Sequence, residues 1–109
     1  NFKYEQDHLH PENRFNGSKP ISVSMEDWKR WRGMRNRLPN LHLLEGRSNG
    51  SKNDMRLVDY YNDMNGEQKA EFCKQAMVPQ DVSLEFEDFE KFYEARKALL
   101  AEKIRQMLG

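Results

Sequence analysis

A chain of 109 residues with 33% charged residues, twelve aromatics and a mean hydropathy of −1.05 has room for one domain with a modest core and a very polar surface. No apolar run approaches the roughly 20 residues that cross a bilayer, and no charged-then-apolar leader is present, so a membrane is not an expected partner. The lone Cys73 excludes an internal disulfide framework and a CxxC zinc site; it reads as a half-buried, inert thiol in a helix, and a reducing cytoplasm is the expected setting.

In chain order, Phe2-Lys3-Tyr4-Glu5-Gln6 alternates apolar and polar residues before Asp7, as a half-buried strand does, and Pro11 is expected to stop it. Residues 12–23, with Asn13, Asn16, Gly17, Ser18 and Pro20, read as an irregular loop. Ser24 is an N-cap candidate with Asp27 three residues on, opening a helix over 25–35 with Met25, Trp28 and Arg32 on one side. Residues 41–44 form a short apolar stretch, expected as a second strand that Gly46 ends.

A further helix is expected from Ser48 or Ser51 to about Met64, closed by Asn65-Gly66, and another over 67–77 with Ala70, Phe72, Cys73 and Ala76 inward. Pro79 breaks the chain. From Phe86 to Met107, apolar residues recur at helical spacing over about six turns, which predicts a long final helix. The fold class is α+β: a small two-stranded element with a following helix, embedded in a mainly helical domain.

Net charge is zero, but its distribution is uneven. Residues 1–56 hold 11 Lys and Arg against 7 Asp and Glu, whereas residues 57–109 hold 7 against 11. A polyanion would meet the first half. Within it, residues 28–37 carry five basic side chains and two indoles, so cations could hold phosphates while an exposed indole stacks on an unpaired base. Packing is expected for Trp28, and Trp31 is left open. Arg30 and Arg35, with Arg47 and His10, are the candidates for nucleic-acid contact.

The residues that carry chemistry are Asp7-His8 at the end of the first strand and Asn49 near the following helix start. Asp7 offers a carboxylate oxygen and Asn49 a neutral one, a set that suits a hard divalent ion such as Mg2+ better than zinc. His8 can take a proton from water near neutral pH. His10 lies on the same side as His8 if the strand continues, and could contact substrate or a supporting group.

Asp7-His8, Asn40 within Asn-Leu-His-Leu-Leu, and Asn49 followed by Lys52 resemble the HNH, or ββα-metal, nuclease family, in the variant with asparagine as the last motif residue. The motif core covers residues 4–53. The remainder, with Trp28 and Asn36-Arg37-Leu38-Pro39-Asn40-Leu41 before the second strand, the helical extension 54–109 and its Phe89-x-x-Phe92-x-x-x-Arg96, is similar to the C-terminal nuclease region of restriction-type proteins, many of which carry an upstream nucleotide-binding domain. The chain, opening on Asn1, accordingly reads as one part of a longer protein.

The resemblance implies a divalent-metal endonuclease acting on DNA, in restriction or defence. Asp7 and Asn49 would ligate the ion, most naturally Mg2+, with Mn2+ or another transition ion as substitutes. His8 would be the general base. Asn40 would not touch substrate but would lock the strands and hold the His8 loop, and Lys52 would neutralise a phosphate or the charged transition state. Arg96 is expected to satisfy a buried carboxylate or carbonyls. Two other readings stay open: a catalytically silent nucleic-acid-binding or protein-interaction module on the same scaffold, and an RNA nuclease.

Overall fold

A computed structural model of the protein describes residues 4–45 and 55–109, with residues 4–7 and 43–45 described by their backbone alone. Strand β1 (Tyr4–His8) pairs antiparallel with β2 (Leu41–Glu45), Asp7 opposite His42 and His8 opposite Leu41. The connection between them is long and structured. It carries α1 (Glu12–Phe15) and α2 (Met25–Met34), then a one-turn 3-10 helix at Leu38–Asn40.

The α1 turn corrects the expectation of an irregular loop over 12–23. Pro11 is its N-cap, where a missing amide hydrogen costs nothing, Glu12 complements the helix start, and Phe15 is fully buried. At α2 the Ser24 hydroxyl accepts from the Asp27 amide at 3.1 Å, as expected of the cap. The buried face is different from the one predicted: Trp28, Trp31 and Met34 point inward, while Met25 is 55% exposed and Arg32 is exposed.

After residue 54, α3 (Leu57–Asn62) starts on Arg56, whose backbone is extended, so no helix runs unbroken from Ser48 or Ser51 to Met64. Asn65-Gly66 likewise opens a helix where it was expected to close one. The Asn65 side chain accepts from the Gln68 amide at 2.8 Å, and the Gln68 side chain accepts from the Asn65 amide at 3.0 Å. This reciprocal box starts α4 (Gly66–Ala76). Phe72 and Cys73 are half-buried and Ala76 fully so, but Ala70 is exposed. Met77 adopts the left-handed conformation (φ 55°), and Pro79 prevents continuation.

A single 3-10 turn at Phe86–Asp88 leads into α5 (Phe89–Leu108). Its first two turns organise the interior. Phe89 and Tyr93 pack with Phe15, Trp28 and Trp31 in one buried cluster, and Phe92 packs with Leu9, Leu57 and Val78 in a second. The rest of the predicted stripe lies outside the core: Leu99, Ile104 and Met107 are 37, 52 and 77% exposed. Among the described residues no helix is long and apolar enough to cross a membrane.

Arg96, 3% exposed, satisfies carbonyls, one of the two kinds of partner the sequence led us to expect, and in doing so joins three elements. Its Nε and Nη2 donate to the Ala76 carbonyl at 3.2 and 2.9 Å, and Nη1 donates to the Leu38 carbonyl at 2.9 Å. The Ala76 carbonyl belongs to the end of α4, where the helix supplies no amide for it. Burial pulls the guanidinium down to about 10, so it stays charged at neutral pH. Replacing Arg96 with Met is expected to destabilise the fold by about 2–4 kcal/mol by orphaning these carbonyls. Arg96→Lys should recover little, since an ammonium lacks the forked geometry that reaches both. Urea midpoints of the two variants check this; wild-type stability in either would remove Arg96 from its bridging role.

Candidate active site

The geometry at the end of β1 is set by one buried carboxamide. Asn40 is 0% exposed. Its Oδ1 accepts from the His10 amide at 2.9 Å, and its Nδ2 donates to the His10 carbonyl at 3.1 Å and to the Arg35 carbonyl at 2.9 Å. Its own carbonyl accepts from the Leu9 amide at 2.9 Å. Asn40 therefore holds the two residues after His8 and, on the other side, the turn that follows α2. It has no surface to offer a substrate, and its side chain is spent on backbone groups.

The strand ends at His8, and the chain turns inward there. Leu9 and His10 are 0 and 1% exposed. The His10 ring meets Phe92 and Phe89 edge-on, with centroids 4.8 and 5.4 Å apart. Because the strand does not continue, His10 is a core residue, and the expectation that it reaches substrate gives way to a packing role. His8 stays at the surface, half-buried, with Nε2 2.7 Å from Oδ1 of Asn36, a residue 28 positions away in the exposed turn after α2.

Asp7 immediately precedes His8 and lies opposite His42 in the strand register. Asn49, Lys52 and Arg47 lie outside the described residues, so the expected second ligand, the phosphate-neutralising lysine and one expected contact have no described position. The described helix α3 begins at Leu57, so Asn49 is not in its first turn. Among the described residues no group of three or more His, Cys, Asp or Glu side chains gathers to hold a metal. A carboxylate at position 7 and a carboxamide at 49 remain a donor pair of the kind hard divalent ions accept.

Two of the basic residues expected to contact nucleic acid, Arg30 and Arg35, pair with groups of the protein itself. Arg30 donates to Asp27 at 2.6 Å and also pairs with Glu90, and these hydrogen bonds, Glu90's first, hold its guanidinium above the ordinary value. Arg35 donates to Asn16 at 2.9 Å and faces Glu12, bracing α1 against α2. Trp31 is 3% exposed, and its indole N–H donates to Glu90 at 3.0 Å, so it is not a stacking platform for a base.

The sequence assigns Asn36 no contact with His8 and gives no sign of the Arg35 carbonyl. A second carboxamide four positions before Asn40 was visible, but a backbone carbonyl has no sequence signature. Comparison with protein-family models and with curated proteins returns no match to this chain.

Asn40→Ala should cost about 3 kcal/mol, because two buried backbone groups and one partly buried carbonyl lose their partner. Asn40→Asp should be comparably harmful at neutral pH, since a carboxylate cannot donate to the His10 and Arg35 carbonyls. Burial beside those oxygens would raise its folded-state pKa, so that loss should shrink on acidification, as the protonated acid regains one donor. Denaturant unfolding at two pH values checks both; a pH-independent deficit in Asn40→Asp would contradict the donor role.

Proposed function

We propose that this chain is a metal-dependent endonuclease domain of the HNH type that hydrolyses DNA phosphodiester bonds, with restriction or defence as its setting. The observation that carries this reading is the Asn40 clamp. It supports a bent strand end on which Asp7 and His8 are adjacent, the second half-buried at the surface. By gripping both the strand exit and the turn that bears Asn36, it fixes the placement of His8 relative to that turn.

In this reading Asp7 and Asn49 hold a divalent ion, most naturally Mg2+, which when bound stabilises charge on the phosphate. His8 removes the proton of the attacking water. The water oxygen bonds to phosphorus as the bond to the 3′ oxygen breaks, leaving a 5′ phosphate and, after protonation, a 3′ hydroxyl. Lys52 offsets the negative charge that grows on the phosphoryl group. Asn40 contributes by holding the backbone that fixes His8, without contact to substrate.

Plasmid cleavage tests the reading. With magnesium or manganese the protein should nick or linearise supercoiled DNA, and EDTA should stop it. His8→Ala should retain the wild-type circular dichroism spectrum and lose about 10²–10⁴-fold in rate. Parallel incubation with labelled RNA separates a ribonuclease. Nucleic-acid binding without cleavage under any of these ions would instead identify a silent module on the same scaffold.

A further inference from the structure

One face of α4 lines an open cavity of about 830 Å³, a size that suits a small organic ligand. Lys69, Ala70, Cys73 and Lys74 share that face at helical spacing and Tyr61 of α3 joins them. Val78, Val82 and Leu84 supply an apolar wall. We propose that this cavity, apart from any endonuclease activity, binds a small organic anion: a carboxylate or phosphate monoester on an apolar body, its charge taken by the ammonium groups of Lys69 and Lys74.

The charges around the cavity are unbalanced. Two lysines face one carboxylate, Asp81, and among the described residues neither lysine makes an ion pair, whereas Arg30, Arg35, Arg56 and Arg105 all do. Lys69 is half-buried, its ammonium 5.1 Å from the centre of the Tyr61 ring. A ring face attracts a cation without neutralising it, so the charge stays open to an anion. Burial, and then the Cys73 sulfur, raise the Tyr61 phenol above its ordinary value, so it remains protonated and able to donate. The apolar side is fixed before any ligand arrives. Val78, 4% exposed, belongs to the second buried cluster, against which Cys73 and Leu84 pack, and its amide donates to the Cys73 carbonyl at 3.1 Å. Met77 and Asp81, the non-glycine residues with positive φ among those described (55° and 63°), stand at either end of residues 78–80. Such conformations persist where their surroundings over-determine them, and they recur at ligand clamps. A preformed apolar wall beside these cations favours an anion that carries apolar surface of its own over a bare inorganic one.

Titration with naphthyl phosphate, naphthol and inorganic phosphate, followed in 1H–15N spectra, separates charge from apolar contact. Naphthyl phosphate should shift the amides of residues 69–74 and 78–84 and bind at least about tenfold more tightly than either of the others, the worth of one charge-assisted hydrogen bond. Lys69→Gln and Lys74→Gln should each raise its Kd about three- to tenfold and leave naphthol unmoved. Cys73, the single cysteine, gives a second readout. Dianionic dithiobis-nitrobenzoate and neutral dithiodipyridine both react by thiolate attack on sulfur, one S–S bond forming as the other breaks and an aryl thiolate leaves. Relative to mercaptoethanol, Cys73 should favour the dianion by about tenfold, and Lys69→Gln should remove most of that preference. No shift with millimolar naphthyl phosphate, shifts confined to other residues, equal affinity for naphthol, or a preference for the dianion that survives in both lysine variants overturns the site. Inorganic phosphate that binds as tightly as naphthyl phosphate overturns the apolar part of the ligand.

Discussion

The rest of the structure depends on the planar carboxamide of Asn40. Three backbone groups converge on it, one amide and two carbonyls, and their pattern admits one side chain of that length. An aspartate accepts but cannot donate, a serine is too short to span the gap, and a glutamine would push its amide a methylene further into a site with no exposure. A buried polar group is costly unless its bonds are made; here three are made at 2.9–3.1 Å, and the cost of desolvation is turned into a fixed geometry. The two strands need such help, because a two-stranded sheet is marginal by itself.

The clamp works only against a rigid backing, which the start of α5 supplies. Phe89 and Phe92, one helical turn apart, face separate buried clusters and both meet the edge of the His10 ring. Arg96, one turn further, ties the same helix to the carbonyl of Leu38, two residues before Asn40. The turn bearing Asn40 is thus held from below by a guanidinium and from the side by its own carboxamide. Each bond constrains backbone, so the constraint passes to side chains that project from it, His8 and Asn36 among them.

How much of this was legible follows from the range of the interactions concerned. The Ser24 cap, the inward Trp28, the carbonyl-binding Arg96 and the positional role of Asn40 all have a signature in neighbouring residues or in the mismatch between a polar residue and an apolar stretch. Asn65-Gly66 was misread because asparagine serves at either end of a helix, and Gln68 three residues on was the signal that decided it. The α1 turn was lost among Asn and Gly residues, although Pro11 followed by Glu12 marks a helix start. Periodicity found α5 but not the point where it leaves the body, since spacing records a face and not what covers it. Trp31 could not be settled from sequence at all; its partner, Glu90, is 59 residues away.

That same Glu90 changes the electrostatic picture that the sequence offered. A basic first half and an acidic second half are separate along the chain, but the fold brings Glu90 of α5 onto α2, where it takes hydrogen bonds from Arg30 and Trp31. The most basic stretch therefore has part of its charge paired with the protein's own surface carboxylates, and a salt-sensitive phosphate contact has less to draw on there than the count implied. Arg37 is exposed on the turn that carries Asn36, two residues past Arg35, whose carbonyl Asn40 holds. On the endonuclease proposal the position of cations relative to the imidazole would matter more than their number, and Arg37 follows by two residues the Arg35 carbonyl that Asn40 holds.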